Sequence, residues 1–72
     1  MDKKEAKSLM KAGKKISHRF FTDEEWITSD PTGVIYSDEK GIQFPAREFW
    51  NYRQGELWER GYYIYEPQRN KE

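Results

Sequence analysis

The stretch FWNYRQGELWERGYYIY, Phe49 to Tyr65, decides the fold, because it holds seven of the chain's twelve aromatic residues. Large rings supply most of the burial available to a small domain, and Trp and Tyr add a polar tip suited to interfaces and pockets. Pro45 fits the first turn of a helix, where its missing N–H costs nothing. Ala46, Phe49 and Arg53 then share one stripe with Trp50 beside it, which predicts a helix over 46–53. Gln54 and Gly55 end that helix, and Leu57 with Trp58 forms a turn or a short helical piece. Gly61 opens a last strand over 62–66, which Pro67 closes. A polar tail, PQRNKE, follows at 67–72.

Upstream of this stretch the pattern is short strands and tight turns. Asp30, Pro31, Thr32 and Gly33 match a type I turn, so 26–29 and 34–37 pair as a hairpin. The sequence DEKG at 38–41 is a second turn, and 42–44 a third strand of the same meander. Alternation from Lys15 places Ile16, His18 and Phe20 on one face of a further strand and Ser17, Arg19 and Phe21 on the other. The polar turn TDEE, 22–25, interrupts it. Asp2 with Glu5 three residues later fits a capping box, and Ala6, Leu9 and Met10 form a narrow apolar stripe, predicting a helix over 3–12 that Gly13 stops.

The element order is therefore α-β-β-β-β-α-β. It predicts an α+β domain over 1–66, with an antiparallel or mixed sheet of four to five strands and two helices on one face. The expected core is Leu9, Ile16, Phe20, Ile27, Val34, Ile42, Phe44, Phe49, Leu57 and Ile64. The opposite sheet face is expected to show Arg19, Phe21, Tyr63 and Tyr65. Such an open aromatic face marks a subunit interface, a ligand platform or both.

Composition removes several function classes. The 72 residues contain no cysteine and one histidine, which excludes disulfides and thiolate metal sites and leaves too few nitrogens for a structural zinc. No cofactor is expected. A core this small yields roughly 3 to 5 kcal/mol, so oligomerisation is the expected reinforcement. The absence of an apolar run of about seven residues for a signal peptide, or about twenty for a span, predicts a cytoplasmic protein with no membrane partner. Net charge is zero but uneven: residues 1–19 hold seven Lys or Arg against Asp2 and Glu5, a net +5, and the remainder is −5. This is either a nucleic-acid arm or a solvated helix face that complements an acidic neighbour; the neutral total favours the second.

Catalysis is not expected. A Ser-His-acid site would need His18, and Ser17 points to the other face of its strand. The acidic residues of 23–25 sit in a polar turn, a poor place to raise a carboxylate pKa. A lone histidine beside Ile16 is more often a satisfied structural group than a ligand.

The segment EAKSLMKAGKKISHRFF (5–21), Trp26 with Ile27, and the closing FWNYRQGELWERGYYIYE (49–66) resemble short phage and mobile-element proteins of gut Bacteroidetes. The layout of leading helix, G-K-K-apolar, an aromatic and a closing strand is similar to the Thoeris anti-defence family of phage sponges. That resemblance implies a homo-oligomer that sequesters a cyclic nucleotide-type immune signal without cleaving it. His18 stands where that family carries Arg, Phe21 where it carries Trp, and Tyr63 near its closing Trp. The family's Gly-rich segment is replaced here by TDEEW, and its long middle portion is largely missing. The implied ligand site is His18, Arg19, Phe21, Trp26, Arg53 and Tyr63, with rings stacking a base and Arg19 or Arg53 meeting phosphate. The alternatives are an inhibitor docking on a host defence protein through its Trp and Tyr surface, or a small nucleic-acid-binding accessory protein.

Overall fold

The computed structural model describes residues 1–66; the tail expected at 67–72 lies outside them. Helix α1 (Lys3–Lys11) leads into strands β1 (Ile16–His18), β2 (Ile27–Ser29), β3 (Ile35–Asp38) and β4 (Gln43–Pro45). Helix α2 (Ala46–Asn51), a 3-10 turn at Glu56–Trp58 and strand β5 (Tyr62–Ile64) complete the order. All neighbouring strands pair antiparallel in the spatial order β4-β3-β2-β1-β5. This is the α+β architecture expected from the sequence.

The leading helix forms for local reasons. Asp2 Oδ1 accepts from the Glu5 amide at 2.8 Å while Glu5 Oε1 accepts from the Asp2 amide, closing the capping box. At the other end Gly13 donates to the Met10 carbonyl and Lys14 to that of Leu9, a Schellman arrangement with Gly13 at φ 93°. The helix ends at Lys11, one residue before the expected bound. The Asp30–Gly33 turn also stands as expected, with Asp30 Oδ1 accepting from the Thr32 hydroxyl and the amides of Gly33, Val34 and Ile35. These donors hold the Asp30 carboxyl below its ordinary pKa, the Thr32 hydroxyl foremost.

Strand register fixes the two sheet faces. Directly paired residues share a face, so Ile16, His18, Ile27, Tyr36, Phe44, Tyr62 and Ile64 lie together. The buried Ala6 and Met10 of α1 and Ala46 and Phe49 of α2 pack into one cluster with Ile16, Ile27, Tyr36 and Tyr62. Both helices therefore cover this face. The other face carries Ser17, itself buried, with Thr28, Ile35, Ser37, Gln43, Pro45 and Tyr63.

Half of the expected core is corrected. Ile16, Ile27 and Phe49 are buried and Leu9 and Phe44 pack partly against them, but Phe20, Val34, Ile42, Leu57 and Ile64 are exposed. The strands are only three or four residues long, so an alternation read through their ends misplaces what lies beyond. Phe20 follows the end of β1, while Val34 and Ile42 each precede a strand by one residue. Leu57 points outward from the 3-10 turn, and Ile64 ends an edge strand. The same early end of β1 overturns the open face expected to show Phe21: after His18 the chain turns, and the Phe21 ring packs against Phe49 and Trp58 on the helix side. Helix α2 stops at Asn51 and β5 at Ile64, both short of the expected 53 and 66.

Candidate functional site

Helix α2 divides the helix-bearing face into two grooves. Glu48, Phe49 and Tyr52 turn to one flank and Arg47 and Trp50 to the other, as the helical period requires. The first groove, about 580 Å³, has Phe21, Phe49, Trp58 and the Arg53 side chain among its lining residues; Trp26 also borders it, while its ring contacts Tyr65 and lies under the Lys15 ammonium. Ligand pockets span roughly 300 to 1,000 Å³ and combine apolar walls with a few polar groups. The size and lining suit a small planar molecule.

Arg53 is the centre of this groove. Its guanidinium carbon lies 4.1 Å from the Phe49 ring centroid, 5.5 Å from that of Trp58 and 5.9 Å from that of Phe21. Nη1 donates to the Phe49 carbonyl at 3.2 Å, and Nε is buried without a partner. Burial draws its pKa down from the ordinary value, with Tyr62 and Glu25 opposing that shift. An arginine stays charged regardless. A half-buried cation held by rings in the groove wall is placed to attract an anion, through guanidinium atoms other than the buried Nε.

Four carboxylates rim the same groove: Glu25, Asp38, Glu39 and Glu48. Glu25 and Glu39 each turn one oxygen to a backbone amide, of Thr22 and Trp26 respectively, and Asp38 Oδ1 accepts from Lys40 and Ile42. These bonds orient the turns that form the rim. Their free oxygens are acceptors only, and suit the N–H edge of a base.

His18 lies beneath the groove. It is fully buried and stacked on Trp58 at 4.3 Å between centroids. Nδ1 accepts from the Phe20 amide at 3.1 Å and Nε2 contacts the Arg60 carbonyl at 2.7 Å, which assigns a neutral ring with the proton on Nε2. Burial lowers its pKa, with the Arg19 charge adding to that. Gly61, at φ 98°, leaves room for this packing: a Cβ there would stand 3.1 Å from Nε2. The imidazole has no ring nitrogen left for a ligand. Ser17 is likewise fully buried, its hydroxyl donating to the Glu25 carbonyl at 2.8 Å.

Of the six residues expected to form a site, Phe21 and Arg53 come together in one groove that Trp26 borders with its ring turned to Tyr65, and His18 supports the floor through Trp58. Arg19 is exposed, its guanidinium over Phe20. Tyr63 lies on the opposite sheet face, paired with Ser17. Phe49, Trp58 and the acidic rim were not foreseen as site residues. Trp58 carried one signal, a large ring in a polar turn segment. Among the described residues no cluster of His, Cys, Asp or Glu suited to a metal is found, and no helix is long and apolar enough to cross a membrane. Comparison with protein-family models, with curated proteins and with solved structures gave no match.

Proposed function

We propose that this chain is a non-catalytic binding protein that sequesters a cyclic nucleotide-type signal, in the anti-defence role that its resemblance to phage sponges suggests. The observation that carries the proposal is the convergence of Phe21 and Arg53 on one aromatic groove that Trp26 borders. A base entering it gains roughly 1 to 3 kcal/mol from each ring it stacks on, and the charged, half-buried Arg53 guanidinium in the groove wall pairs with a phosphate oxygen. The rim carboxylates accept from the base's N–H groups and repel surplus phosphate, so ligands with the fewest charges bind best. The absence of catalysis is supported by the engagement of His18 and Ser17, each committed to backbone partners.

Self-association belongs to the same proposal. The groove is open, and a second copy closing over it supplies the burial that one small chain lacks. Sedimentation at micromolar concentration then shows a species heavier than the 8.8 kDa chain; a pure monomer counts against this part. The binding test is calorimetric titration of cyclic mono-, di- and trinucleotides and cyclic ADP-ribose isomers. One class binds the parent, and Arg53→Ala and Phe21→Ala weaken it at least about tenfold, as loss of a charged hydrogen bond or a stack requires. If no member binds, the assignment fails.

A further inference from the structure

The second groove, between α1 and α2, has the opposite chemistry. It measures about 650 Å³ and is lined by Lys7, Lys11 and Arg47 with Trp50 and Tyr36, with no carboxylate among the described residues that line it. The Lys7 ammonium stands 5.1 Å from the Trp50 ring centroid, and Lys3, at the continuation of the groove, 5.0 Å from it. Lys3 is paired with Glu59 at 3.5 Å, while no ion pair among the described residues involves Lys7, Lys11 or Arg47.

Two features shape the groove around these cations. The stem of Lys11 lies across Gly33, where an added Cβ would meet Lys11 Cδ at 3.0 Å. Trp50 is itself anchored, its Nε1 donating to the Tyr36 hydroxyl at 2.9 Å. Lys3, Lys7 and Lys11 repeat every fourth residue, so like charges stack along one helix stripe, which is unfavourable in isolation. Lys7, Lys11 and Arg47 are exposed cations with no counter-charge among the described residues, so an arriving anion relieves their mutual repulsion.

We propose that this groove binds a phosphate-bearing chain. Lys7 and Lys11 sit about 6 Å apart along the helix axis, and Arg47 faces them from α2, so two or more phosphates are met together. The chemistry is shared by a free oligophosphate and by a nucleic-acid backbone, and Trp50 adds a ring for a base in the second case. The site is separate from the Arg53 groove and does not depend on what that groove holds.

The test titrates the protein with inorganic triphosphate and, separately, with a single-stranded oligothymidylate at low salt. Binding of both probes, or of the triphosphate alone, supports the site and points to a free oligophosphate. Binding of the oligonucleotide alone supports it and points to nucleic acid. The double variant Lys11→Ala/Arg47→Ala is expected to weaken binding at least about tenfold, and with the oligonucleotide to flatten the log–log salt slope by about 0.7 per cation removed. Lys40→Ala, an exposed cation of the 38–41 turn that lines neither groove, leaves both unchanged. If neither probe binds, if the double variant binds like the parent, or if Lys40→Ala weakens binding as much, the proposal is wrong.

Discussion

The two flanks of α2 are built on shared aromatic packing and carry opposite charge. Phe49 contacts Trp50 edge to face at 4.8 Å between centroids, so one hydrophobic joint supports both grooves. On one flank it sits under Arg53 with four carboxylates around the rim; on the other, Trp50 sits under lysines. A chain with zero net charge thus separates its charges by surface. The difference shows that net charge says little about what a small protein can bind, because affinity is set by the potential inside each groove.

The largest expected effect breaks the joint itself. Truncating a buried Phe costs about 3 to 5 kcal/mol, comparable to everything a core of this size yields. Phe49→Ala is therefore expected to unfold the chain and abolish both grooves, seen as loss of cooperative melting by circular dichroism. Gly61→Ala comes next. It forces a Cβ into a positive-φ position against His18 and is expected to cost more than about 1 kcal/mol in urea titration.

Arg53→Met sharpens the contrast between the flanks. Methionine keeps an unbranched stem over the rings and removes a buried donor that lacks a partner, so stability is expected to hold or rise by about 1 kcal/mol while ligand binding is lost. A large loss of stability would mean that Arg53 is a structural residue. On the basic flank, Lys7→Gln relieves repulsion with its neighbours one turn away and is expected to stabilise by no more than about 0.5 kcal/mol in low salt. That gain should vanish at high salt.

Between pH 5 and 7.5 a pH effect belongs to the floor of the acidic flank. Because burial lowers the folded-state pKa of His18 beneath its ordinary 6.5, the unfolded chain takes up the proton first. Its contribution to stability is complete above that value and is lost as pH falls through it toward the lowered one. His18→Gln should flatten the melting temperature between pH 7.5 and 5 relative to the parent. An unchanged pH profile would show that the imidazole is not held neutral.

What could be read from the sequence was what depends on near neighbours. The capping box at Asp2 and Glu5, the stop at Gly13 and the Asp30–Gly33 turn each need only a few residues, and each forms. The element order followed from them. The core was half legible because alternation carries no information past a strand of three residues, which is why Phe20 and Val34 are exposed while Tyr36 and Tyr62 are buried. The grooves were less legible still. Phe21, Trp26 and Arg53 could be named singly as aromatic or cationic residues, but the meeting of Phe21 with Arg53 depends on the turn after β1. The basic groove joins Lys7 and Lys11 to Arg47 across about half of the chain, and no local pattern announces it.

Two tryptophans report the grooves separately, since the Trp58 ring lies against Arg53 and Phe21 in the acidic one and Trp50 lines the basic one. The indole N–H resonances of ¹⁵N-labelled protein, followed during titration with the cyclic nucleotide that binds by calorimetry, therefore test directly whether the acidic groove holds the signal. The expected result is that Trp58 shifts and saturates while Trp50 stays in place. Movement of Trp50 alone would put the signal in the basic groove and overturn the assignment.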